Sequence, residues 1–172
     1  MKILHASAEY FPYIKMGGLA DMLASLTKEQ VKTEEVYVAL PLIGKLGKEP
    51  NWTGKELGAL LPEDAKEETM AVSLLAKARF LEAVESGIKL YFFDSELFRS
   101  LHTIYGTAEE HYRFAIFSYA CYALSQILQV DAFHAHDWHT AISLSFKKIH
   151  RSPSHHFSQS TISPTKATIP IG

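Results

Sequence analysis

Apolar positions along the chain fall into blocks with two periods. KILHASA, residues 2–8, is a short apolar run broken only by His5 and Ser7, and predicts a buried strand at the start of the chain. EYFPYIKMGG (9–18) follows, where Pro12 and a glycine pair mark a loop. In GLADMLASLTKEQVK (18–32), Leu19, Met22, Leu23 and Leu26 repeat at helical spacing. EEVYVALPL (34–42) is β-branched and runs into Pro41. Strand, glycine-rich loop, helix, strand predicts a right-handed βαβ unit with parallel strands.

Residues 43–66 are rich in Gly, Lys, Glu and Pro and show little periodicity, which predicts an exposed loop or insertion. Residues 69–94 read as extended segments, with ARFLEAV and IKLYFFD flanking a hairpin turn at Glu85-Ser86-Gly87. The clearest helix spans 108–128, with Phe114, Phe117, Cys121, Leu124 and Leu128 on one stripe and Ala120 and Ile127 beside it. VDAFHAHD (130–137) predicts a strand entering a turn, and Thr140 to Ile149 a second helix. Ser, Thr and Pro supply half of residues 151–172, and no acidic residue follows Asp137. The expected organisation is a folded domain over 1–149 and a disordered tail over 150–172.

Composition narrows the function classes. Apolar residues make up 47% and charged residues 21% of the 172, with a net charge of −2, as in ordinary globular proteins. Nothing in this balance marks a nucleic-acid or anionic-membrane surface. A single cysteine, Cys121, excludes an internal disulfide framework and fits a reducing, cytoplasmic setting. No run approaches the ~20 apolar residues of a membrane span, and the first residues lack the apolar core of a signal peptide.

Two constellations carry candidate chemistry. Lys15-Met16-Gly17-Gly18 lies between the first strand and the first helix. A helix N-terminus there offers unpaired N–H groups, the glycines admit close backbone approach, and Lys15 adds a mobile charge, a set that suits a diphosphate. A solvated glycine turn is the plain alternative.

HAHDWH, His134 to His139, is the second. His134, His136 and His139 form a trio of the kind found in catalytic zinc sites. The H-x-H-x-D-H order of metallo-β-lactamases is broken, however, because Asp137 comes one place early and Trp138 takes its position. The expectation is therefore no bound metal and no cofactor. Two readings stay open on the residues alone. One is the polar end of a buried strand. The other is a sugar cleft in which Trp138 offers an aromatic face and Asp137 accepts hydroxyl hydrogen bonds. Two polar clusters at the carboxyl edge of one sheet favour a site.

MKILHASAEYFPYIKMGGLADMLASL closely resembles the opening of bacterial glycogen synthases and plant starch synthases, with their KxGGLxD signature. DAFHAHDWHTAISL and YGTAEEHYRFAIFSYA resemble the same family's HDWH segment and the helix before it. The resemblance implies an α/β fold: the Rossmann-like N-terminal domain of a GT-B glycosyltransferase, a mostly parallel sheet with flanking helices plus a hairpin. It implies glucose transfer from ADP-glucose to an α-1,4-glucan such as glycogen, without a metal. By that resemblance Lys15, Gly17, Gly18 and Asp21 are donor-side substrate-binding residues. Asp137, Trp138 and His136 belong to the cleft wall, and Tyr105 is an acceptor-side tyrosine. No residue of this chain is assigned as catalytic. Whether the donor carries ADP or UDP is left open.

The family's F-T-x-H-N motif and its second Rossmann domain, with the Arg, Lys and Glu that hold the diphosphate, do not occur in these 172 residues. The switch to a Ser/Thr/Pro tail looks like a fragment, a frameshifted reading or a degraded gene. The expectation is that this chain alone is inactive. A non-catalytic glucan- or nucleotide-binding remnant is the alternative, with a metallohydrolase using HAHDWH behind it.

Overall fold

The computed structural model describes residues 1–58, 61, 69–149 and 156–159. In chain order the elements are β1 (Lys2–Ala6), α1 (Gly18–Gln30), β2 (Glu35–Pro41), β3 (Trp52–Leu57), α2 (Met70–Lys77), β4 (Arg79–Glu85) and β5 (Ile88–Asp94). They continue with α3 (Glu96–Arg99), α4 (Glu110–Leu128), β6 (Ala132–Ala135), α5 (Trp138–Ala141), α6 (Ser143–Ile149) and β7 (His156–Gln159). One sheet runs in the order β3-β4-β5-β2-β1-β6-β7. Strands β5, β2, β1, β6 and β7 are parallel, while β4 joins β5, and β3 joins β4, antiparallel. This is the mostly parallel α/β sheet with a hairpin that the pattern predicts.

The strands β1 and β2 sit at the centre because they bury residues on both faces, apolar but for His5, as a sheet covered by helices requires. β5 shows the two-sided packing well. Phe92 meets Tyr13 and Trp52 on one face, while Phe93 meets Phe98 and Phe117 on the other. Against that second face α4 buries Phe114, Phe117, Cys121 and Leu124. The β4–β5 hairpin closes through Ser86 and Gly87, both at positive φ (50° and 84°), the two-residue turn whose twist matches paired strands.

Several local expectations are corrected. Residues 43–66 are not simply an exposed loop: they contain β3, an edge strand whose exposed side chains leave no alternating pattern to read. Within 69–94, residues Met70–Lys77 form the helix α2, started by Thr69, whose hydroxyl accepts from Val72 N at 3.2 Å. A short apolar run is ambiguous between periods, and here Ala, Leu and Lys favour helix. On α1 the buried face is Ala20, Leu23 and Thr27, while Met22 is exposed; Ile127 of α4 is exposed too. The second helix of the HDWH segment begins at Trp138, not Thr140, and is interrupted at Ile142. In the Ser/Thr/Pro stretch, His156–Gln159 form β7, parallel to β6; residues 150–155 and 160–172 lie outside the described part.

Candidate active site

The chain leaves β1 through a loop ordered from inside. Glu9 is only 4% exposed. Its Oε2 accepts from the backbone N–H of Met16 at 2.7 Å and of Gly17 at 2.8 Å. One buried carboxylate therefore gathers the two amides just ahead of α1. Gly47 packs against the same loop, donating its N–H to Tyr13 O at 2.7 Å, and a Cβ there would collide with the Pro12 carbonyl oxygen.

Above Glu9 the loop faces outward. Lys15 is half exposed, pairs with Asp21 at 2.8 Å, and lies 5.3 Å from the centre of the Phe11 ring. Gly17 caps α1 in an extended conformation with no side chain closing the helix end. A Cβ at Gly18 would meet nothing within 4 Å, so the backbone here is bare toward the outside. Lys15 also borders an open depression of about 310 Å³ shared with Lys45 and His102, which adds a second lysine and an imidazole that the sequence did not single out.

The second loop leaves β6, the neighbour of β1, at the same edge. His136 N–H donates to Ala6 O at 3.0 Å, and Thr140 Oγ1 donates to His136 O at 2.9 Å, so the turn is bonded to the end of β1. Asp137 has φ 64° and ψ 177°, a region L-residues rarely enter. Its Oδ1 accepts from Trp138 N at 2.6 Å, and the turn lifts the Trp138 ring into 49% exposure.

Tyr105 joins the two loops. Its hydroxyl donates to Glu9 Oε1 at 2.8 Å, and its ring stacks on His139 with centroids 4.6 Å apart. His139 in turn lies 4.1 Å from Trp138, centroid to centroid. Burial, followed by the Glu9 hydrogen bond, raises the Tyr105 phenol well above its usual range, so it stays a donor. Burial lowers the His139 pKa despite Asp137 and the neighbouring glutamates. The His139–Asp137 approach at 3.8 Å is thus a contact of a neutral ring, not an ion pair.

Lys15, Gly17, Gly18, Asp21, Asp137 and Trp138 are thereby gathered at one edge of the sheet. His136 is not among them on the surface: it is 1% exposed, and its Nε2 faces His5 Nδ1 at 2.9 Å. It supports the turn from below. Nor does His139 complete a trio with His134 and His136; the third ring of that cluster is His5. Sequence reasoning passed over His5 and Glu9. A polar residue inside a buried apolar run was the available signal for the first. Only the folded loop identifies the second. In chemical terms the edge offers a mobile cation, bare backbone and an exposed aromatic face, a set for diphosphate and sugar recognition.

Comparison with known proteins places the chain in a family. The profile of a family described as the starch synthase catalytic domain matches residues 2–165. A glycogen synthase from Leptospira biflexa is 84% identical over 153 residues, covering 89% of this chain and 32% of that protein. The glycogen synthase of Bacillus subtilis is 34% identical over 146 residues, covering 83% of this chain and 28% of its own length. Among solved structures, the catalytic domain of starch synthase IV from Arabidopsis thaliana, bound to ADP and acarbose, superposes with a TM-score of 0.68 at 22% identity. That match covers 91% of this chain and 33% of the other. The chain spans about a third of the length of these relatives.

Proposed function

Since the chain belongs to the family of starch synthase catalytic domains, we propose that it is the N-terminal part of a glycogen synthase. The activity is transfer of glucose from ADP-glucose to the non-reducing end of an α-1,4-glucan, in the cytoplasm. One observation carries the site assignment: the Lys15–Gly18 loop and the Asp137–Trp138 turn leave adjacent parallel strands and are tied together by Glu9, Tyr105 and His139.

Lys15 and the N-terminus of α1 bind the donor diphosphate, with Gly17 fixed by Glu9 at the helix start and the bare backbone at Gly18 allowing close approach. Asp21 holds Lys15 in place until the anion arrives. Trp138 presents a flat apolar face to a glucose ring, and Asp137 accepts from sugar hydroxyls. Rate in such a transfer comes from placing donor and acceptor together and from stabilising charge on the departing diphosphate. These 172 residues supply one wall for that task, so by themselves they bind donor without sustaining glucan elongation.

The test is calorimetric titration of the chain with ADP-glucose and UDP-glucose, beside radiolabelled glucose transfer to glycogen. Binding of ADP-glucose that Lys15→Ala weakens by ~10-fold or more supports the assignment. Equal binding by parent and variant overturns the role of Lys15. Transfer by the 172 residues that vanishes in the variant overturns the one-wall account.

A further inference from the structure

Three imidazoles converge on one face of the sheet where β1 meets β6. His5 and His134 are register partners, and His136 follows two residues on, so all three side chains leave the same face. One ring nitrogen from each lies within 4.8 Å of the other two. His5 and His136 are buried and His134 is partly so. Two hydrogen bonds orient His5 within this cluster. Gln30 Oε1 accepts from His5 Nε2 at 2.8 Å, which turns the lone pair of His5 Nδ1 inward, 2.9 Å from His136 Nε2. His134 Nδ1 is buried and has no hydrogen-bond partner among the described residues.

We propose that His5, His134 and His136 bind one divalent transition-metal ion of the zinc class, tying β1 to β6 beneath the cleft. An all-imidazole set suits zinc, cobalt, nickel or copper and not calcium or magnesium. At a metal–nitrogen distance of about 2.0–2.1 Å, tetrahedral ligand nitrogens stand about 3.4 Å apart. The widest pair therefore closes by at most about 1.4 Å, within the swing of one ring about its side-chain torsions. The ion takes the place of the His5–His136 hydrogen bond. His136 moves its ring proton from Nε2 to Nδ1, and no net proton is released. Water fills the fourth position. Gln30 is the carbonyl acceptor that a metal-bound imidazole ordinarily has behind it. The ion is structural, and its binding is independent of glucosyl transfer.

The expectation of no metal at HAHDWH rested on the order of residues within that segment and on the lack of a second cluster of ligands after it. The ligand it could not count, His5, comes from a strand 131 positions before His136.

The experiment is titration of the full chain, stripped with chelator and dialysed, with cobalt(II) at near-neutral pH. The expected result is one cobalt per chain with the visible spectrum of a four-coordinate ion, displaced by zinc and not by magnesium or calcium. Zinc should raise Tm by ~5 °C or more at saturation. His5→Gln and His134→Gln should each weaken binding at least ~100-fold, and Gln30→Leu ~10-fold to ~100-fold. His102→Gln and the triple change of His150, His155 and His156 to Asn should bind like the parent. Should His5→Gln fail to fold by circular dichroism, His134→Gln decides, because its ring is only partly buried. No stoichiometric cobalt up to ~100 µM, binding that survives His134→Gln, or binding lost in the triple variant overturns the proposal.

Discussion

The Tyr105 hydroxyl donates to Glu9 Oε1 across 96 positions of sequence, while Glu9 Oε2 holds the amides of Met16 and Gly17. A single buried carboxylate thus sets the spacing between the lysine loop and the aromatic stack on His139. Glu9→Ala leaves two amides and a hydroxyl without their acceptor and should cost ~2–4 kcal/mol. Glu9→Gln keeps an acceptor for the amides and offers its NH2 to Tyr105, and should cost less than ~1 kcal/mol. Urea unfolding of the pair checks this; equal losses in the two variants would show that shape, not hydrogen bonding, is what Glu9 supplies.

Lys15 and Asp21 form an exposed pair, so either can be removed with little effect on folding. Asp21→Asn should change stability by less than ~1 kcal/mol. Its effect should appear in donor affinity, because an unrestrained Lys15 must be ordered at binding. A large loss of Tm in Asp21→Asn would mean that the pair holds the loop rather than preparing it.

Phe117 is fully buried between Phe93 and Phe98. Phe117→Ala should destabilise the fold by ~3–5 kcal/mol through lost burial and the cavity left behind. Ile127→Ala, on the exposed side of the same helix, should stay within ~0.5 kcal/mol. Similar costs for the two would contradict the packing of α4 described above.

Stability should fall in mild acid. Burial, then repulsion from His136 and His134, lowers the His5 pKa from 6.5 to about 3, and burial, then His134, lowers that of His136 to about 4. Between 6.5 and those values the unfolded chain takes up protons that the folded chain refuses, so stability rises with pH across that window. It is complete above about 6.5 and is lost as pH falls toward 4 and 3, by up to ~1.4 kcal/mol per pH unit for each histidine. Asp94, held below its usual range chiefly by Arg99, loses its contribution only at lower pH. Urea midpoints in chelator from about pH 7.5 to about pH 5 measure the slope, which His5→Gln should flatten; a slope unchanged in that variant would place the titration elsewhere.

How far these features could be read in advance depends on the range over which each was decided. The βαβ opening, the α4 stripe and the 85–87 hairpin were legible because period and turn chemistry are local. The helix α2 was not, because eight residues of mixed Ala, Val, Leu and Lys satisfy either period. Edge strand β3 gave no alternation because it is exposed and bends at an irregular register. At the candidate site, Lys15, Gly17, Gly18, Asp137 and Trp138 were singled out by short local motifs and by the family resemblance those motifs carry. His5 did not, because its meaning comes from register with a strand that the sequence places far away.

Strand β1 pairs with β2 on one side and with β6 on the other, and more than ninety residues separate the end of β2 from the end of β6. A ribosome adding roughly 5–20 residues per second takes roughly 5–20 s to cover that gap. Throughout that interval the growing chain displays one unpaired side of β1, with its backbone N–H and C=O groups open. The partner that closes it is among the last folded elements to emerge, so a pause in translation before Ala132 lengthens the time in which this side can recruit another nascent chain.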